Sequence, residues 1–184
     1  MDYWREDPKY TPGRNFNILH GHICPYRSHS GALMIIEYDV MTDITNEYYR
    51  QLVYDTGRSS CVFGFVLRDS DVSSETEGIL SALSANLVRD EKRSAWPGTI
   101  LYGTTARVIE YVVSETLINV VQESAPSLFS WLWPTHPEDI FFIDADHNIL
   151  LETVSHEAFS TLRCTPPPST IIQDLLHMNA IVPK

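Results

Sequence analysis

Asp139-Ile140-Phe141-Phe142-Ile143, then Asp144-Ala145-Asp146-His147-Asn148, then Ile149-Leu150-Leu151-Glu152-Thr153-Val154, is the stretch that decides the fold. Two runs of aromatic and branched residues flank five residues of turn composition, which specifies an antiparallel hairpin. Upstream, residues 105–113 carry the strongest β pattern in the chain. Residues 61–67 form a continuous apolar run broken only by Gly64, the mark of an interior strand. In residues 33–40, Ile36, Tyr38 and Val40 alternate with Glu37 and Asp39, as in a half-buried strand. A further short strand is expected over residues 16–24, ended by Pro25.

Helical segments separate these strands. Thr45 is placed to cap a helix running to about Asp55, burying Tyr48 and Leu52 with Tyr49 as a further candidate, and Gly57 is a natural stop. Ser74-x-x-Glu77 reads as a capping box ahead of Ile79, Leu80, Leu83, Leu87 and Val88, closing in the charged run 89–93. Ser114 caps a helix with Leu117, Val120 and Val121 inward, and Pro126 opens a short one through Leu132. A helical turn is expected over residues 156–162, and Ser169 caps a last helix with Ile172, Leu175 and Leu176 inward. Antiparallel strands with interspersed helices give an α+β fold, an antiparallel or mixed sheet with helices packed on it. Residues 1–14 read as an irregular arm and residues 15–184 as one domain, a size that ordinary core burial sustains.

Thirteen basic against 24 acidic residues leave a formal charge of −11. Nucleic-acid binders need a basic face, so that class is disfavoured, whereas an acidic surface suits rapid capture of a basic protein. Cys24, Cys61 and Cys164 contain no CxxC pair, which argues for reduced thiols and a cytoplasmic setting. The polar start and the lack of a long apolar run predict neither a signal segment nor a membrane anchor.

Three constellations can carry chemistry. His20-x-His22-x-Cys24 would share one face of a strand and converge on zinc, although structural zinc ligands more often sit on tight turns. Asp144-x-Asp146-x-Asn148 imitates a calcium loop but has Ile149 where the sharp turn needs glycine and Ser155 where a bidentate glutamate belongs. His156 and Glu157, with Glu138 and Asp139 at the other end of the hairpin, offer a base and acids. If the hairpin forms, its acidic and histidine ends coincide, and a His156–Glu138 or His156–Asp139 hydrogen bond would latch it. Gly98 and Gly103 do not have phosphate-loop spacing, and no cofactor is indicated.

Trp96-Pro97-Gly98-Thr99, Gly103-x-Thr105-Ala106-x-Val108, Trp131-x-x-Pro134-x-x-Pro137-Glu138-Asp139-Ile140 and Ser155-His156-Glu157 follow one another in an order that resembles a family of uncharacterised bacterial proteins, some loosely labelled sporulation proteins. The resemblance covers residues 96–162 and departs at the hairpin, where His147-Asn148 stands in place of the family's Asp-Gly. It implies a small cytoplasmic α+β protein without an assigned reaction. By analogy with other small acidic bacterial proteins, the leading expectation is an immunity-type inhibitor that binds a basic toxin. The alternative is a small hydrolytic or metal-assisted enzyme using His156 with Glu157, Glu138 and Asp139, or the His20/His22/Cys24 face.

Overall fold

The computed structural model describes residues 34–68 and 72–184. In chain order these form β1 (Ile36–Val40), α1 (Asn46–Arg58), β2 (Val62–Leu67), α2 (Ser74–Leu83), β3 (Leu87–Arg93), β4 (Ala95–Trp96), β5 (Thr99–Ile100), β6 (Ala106–Val112), α3 (Glu115–Ser124), β7 (Glu138–Ile143), β8 (Ile149–Val154), β9 (Phe159–Cys164), α4 (Thr170–His177) and β10 (Ile181–Pro183). Eight strands make one sheet in the order β10-β1-β9-β8-β7-β2-β6-β3, every neighbouring pair antiparallel, and β4–β5 form a separate small hairpin. The α+β fold is therefore as the sequence indicates. The expected arm over residues 1–14, the strand over residues 16–24 and the zinc candidates His20, His22 and Cys24 lie outside the described residues.

All four helices contribute to one large core on one face of the sheet. Tyr49 and Leu52 of α1, Ile79 and Leu83 of α2, Leu117 and Val121 of α3, and Ile172 and Leu175 of α4 pack there against Phe63, Phe65, Tyr111 and Phe142. The rings of Phe63 and Phe142 lie 4.9 Å apart, and those of Phe65 and Tyr111 5.4 Å, within the range where aromatic pairs add to plain burial. Buried polar atoms in this layer have partners: Trp131 Nε1 donates to Tyr49 Oη at 2.8 Å, and Tyr49 Oη donates to the Val121 carbonyl at 2.9 Å. The opposite face holds a smaller cluster of Val62, Val66, Ala106, Val108, Phe141 and Ile143, with Trp96 of β4 packed into it. Gly64 lets the Phe141 ring lie directly on β2, because an added Cβ would overlap that ring.

Several local expectations need correction. Tyr48 is exposed whereas Tyr49 and Leu52 of α1 are buried, and Gly57 lies inside the helix, packed so closely on Ile118 that a Cβ would fall 2.7 Å from its side chain. The cap of α2 is Ser73, whose hydroxyl accepts from the Thr76 N–H at 3.1 Å, one position before the expected box. Leu87 and Val88, with the charged run behind them, form edge strand β3 and not the end of a helix. Cross-strand pairing explains this: Arg107 binds Asp90 through two hydrogen bonds of 2.7 and 2.6 Å, and Arg93 Nη1 reaches Glu110 at 2.7 Å. The helical turn over residues 156–162 shrinks to a 3₁₀ turn at Ser155–Glu157, because β9 pairs on both sides, with β8 and β1. Cys164 is a free thiol.

Candidate functional site

The expected β7–β8 hairpin forms, with Phe142 opposite Leu151. Its tip is an Asx turn: Asp144 Oδ1 accepts from the N–H groups of Asp146 and Asn148 at 2.9 and 2.8 Å, and Oδ2 accepts from the Asn148 amide at 2.9 Å. The calcium-like spelling thus serves the turn. At the other end of the hairpin, Glu138, Asp139 and the Ser155–Glu157 turn come together.

A bulge builds that end. Gly64 pairs with Phe141 but Val66 pairs with Glu138, so β7 carries one extra residue against β2. Asp139 absorbs it with φ at 53°, a left-handed conformation that aspartate tolerates better than most residues. Its side chain is turned inward and fully buried. Asp139 Oδ1 accepts from the Ser155 N–H at 2.9 Å, the Ser155 hydroxyl accepts from the Asp139 N–H at 3.2 Å, and Oδ2 accepts from Trp96 Nε1 at 3.0 Å. The Trp-Pro-Gly, Pro-Glu-Asp and Ser-His-Glu blocks therefore meet on one carboxylate.

Arg68, immediately after β2, organises the rest. Its Nε donates to Glu138 Oε2, and its Nη2 lies 3.3 Å from Asp139 Oδ2 and 3.1 Å from His156 Nδ1. Arginine only donates, so His156 Nδ1 is the acceptor and the imidazole proton sits on Nε2. His156 Nδ1 remains 3.9 Å from Glu138 Oε2. The expected direct histidine–carboxylate latch is thus a three-way bridge through Arg68. Burial pushes the Asp139 carboxyl above its ordinary range, opposed by the Ser155 N–H, the Trp96 indole and the Arg68 charge. Sequence reasoning missed Arg68; the only signal for it is a lone cation directly following a wholly apolar strand.

Of the four predicted residues, Glu138, Asp139 and His156 are brought together, their ligand atoms within 4.8 Å of one another. Glu157 is 66% exposed, with Oε1 3.7 Å from His156 Nε2. Chemically the cluster is a closed network whose acids face a guanidinium. It also stands apart from two clefts of the helix layer, one between α1 and α3 and one between α2 and α3, which none of these residues lines. Among the described residues, no helix is long and apolar enough to cross a membrane.

No family model matches the chain, and neither the curated proteins nor the solved structures contain a match to it. The resemblance over residues 96–162 therefore rests on its sequence blocks alone.

Proposed function

We propose that this protein is a non-enzymatic, acidic protein-binding domain, an immunity-type inhibitor whose partner is a basic bacterial toxin acting in the cytoplasm. The observation that carries the reading is the position of Arg68. Its guanidinium stands where His156, Glu138 and Asp139 converge, so this cluster, the one among the described residues with acid–base potential, is spent on an internal ion-pair network. A general base needs a partner that orients it and a substrate within reach; His156 meets an arginine that donates to it. The charge of −11 then has its simplest use in steering a cationic partner.

Co-expression with each toxin encoded beside its gene tests the reading. The expected result is restored growth together with a stoichiometric complex that weakens as salt is raised. Lack of protection and of any complex overturns it.

A second reading, a metal-assisted or hydrolytic enzyme, is favoured by the proximity of Glu138, Asp139 and His156. Its metal-assisted form requires a divalent ion to displace the Arg68 guanidinium from those carboxylates. Zinc titration of the purified protein tests its metal-assisted form, since stoichiometric uptake lost in His156→Ala would support that form and its absence would remove it.

A further inference from the structure

Two neighbouring helices, α2 and α3, are acidic. α2 and α3 carry Glu75, Glu77, Glu115 and Glu123 and not one Lys or Arg. The sheet is different, because its acids are matched: Glu110 with Arg89 and Arg93, Asp90 with Arg107, Glu152 with Arg163, and Glu37 with Arg163 and Lys184. None of the ion pairs among the described residues reaches α2 or α3.

Between these helices runs an open cleft of about 360 Å³, with Ile79, Ala82 and Val120 along it and Glu75 and Glu123 among its walls. Glu75 is held below the ordinary carboxylate range by its own backbone N–H and the Ser74 and Ser73 hydroxyls, so it is an anion at neutral pH. Apolar surface flanked by carboxylates fits a side chain with an aliphatic stem and a cationic head.

Gly78 adds an independent observation. It stands in the body of α2 and lines the cleft, and a Cβ there would meet nothing within 4 Å. Glycine weakens a helix interior relative to alanine, and no packing contact among the described residues requires it here. What it supplies is bare backbone on the cleft wall, where another chain can approach closely.

We propose that the α2–α3 cleft is the docking surface for a basic amphipathic segment of a partner protein. A Lys or Arg stem lies over Ala82 and Val120, and its cation sits between Glu75 and Glu123. The proposal rests on the binding-protein reading above and deepens it by naming the surface.

The test uses the isotope-labelled full chain and a synthetic lysine–leucine amphipathic peptide, followed by NMR shifts and calorimetry. The expected shifts cluster on the two helices around Gly78 and Val120. Glu75→Gln with Glu123→Gln should weaken binding about tenfold or more, the loss of roughly one charge-assisted contact. Gly78→Trp should abolish it by filling the cleft, while the hairpin-tip control Asp144→Asn with Asp146→Asn leaves it unchanged. Thermal melts show that each variant is folded. A peptide that binds with shifts elsewhere, or with an affinity indifferent to the cleft variants, overturns the cleft and leaves the binding-protein reading standing. Cleft shifts accompanied by no protection from any toxin leave the surface in place and overturn the immunity role.

Discussion

Trp96 donates its indole N–H to Asp139 Oδ2 over 3.0 Å, and both residues are fully buried. The bond fastens the β4–β5 hairpin to the bulge of β7. Trp96→Phe keeps much of the ring but leaves a buried carboxylate short of one donor. The expected loss is about 1–3 kcal/mol in denaturant unfolding. An unchanged midpoint would show that the indole N–H is dispensable.

Asp139 also sets a pH dependence. Its folded-state value is raised from 3.8, chiefly by burial. The folded protein therefore binds this proton more tightly than the unfolded chain. Its contribution to stability is greatest below 3.8 and is lost as pH rises toward the raised folded value. Asp139→Asn, which tolerates the same positive φ, removes this component. The stability difference, wild type minus variant, should fall with rising pH across that window and be flat above it, as read from urea unfolding at a series of pH values.

Arg68 and His156 contribute unequally to the network they share. Arg68→Met strands Glu138 and Asp139, which are almost wholly buried, opposite a neutral side chain. With Arg68 itself partly exposed, the expected cost is about 2–3 kcal/mol, below the usual range for breaking a fully buried pair. Adding Glu138→Gln should recover part of it. His156→Ala should stay within about 0.5 kcal/mol, as exposed sites usually do. Equal losses from the two single variants would make His156 an integral part of the strut.

Gly64→Ala drives a Cβ into the Phe141 ring. Overpacking of this kind typically costs roughly 1–3 kcal/mol, and the overlap places this case at the upper end. Phe141→Leu in the same chain should relieve it, giving a non-additive double-mutant cycle. Additivity would mean that the two residues do not share the space.

Gly78→Ala should do the opposite. With open space at the position, the gain in helix propensity is about 0.5–1 kcal/mol, seen as a higher unfolding midpoint. A loss would show that the bare backbone of α2 is needed by the fold itself.

Local patterns in the chain already specified a good deal of this protein. The apolar run at β2, the alternation at β1, the paired runs of β7 and β8 and the Ser114 cap all act within a few residues, so they are legible without a partner. The Ser114 hydroxyl does accept from the Leu117 N–H at 3.1 Å. Elements that depend on distant neighbours were not legible. β3 is a charged segment that becomes a strand because Arg107 and Glu110 of β6 meet its charges, and β9 is a strand because β8 and β1 lie on either side. The candidate site divides along the same line. Sequence brought Glu138, Asp139 and His156 to one end of the hairpin, since a hairpin's two outer ends coincide by geometry alone. Only the tertiary structure could place Arg68 among them and Trp96 above Asp139, because those contacts span 70 and 43 residues and arise from the packing of β2 and β4 on the hairpin.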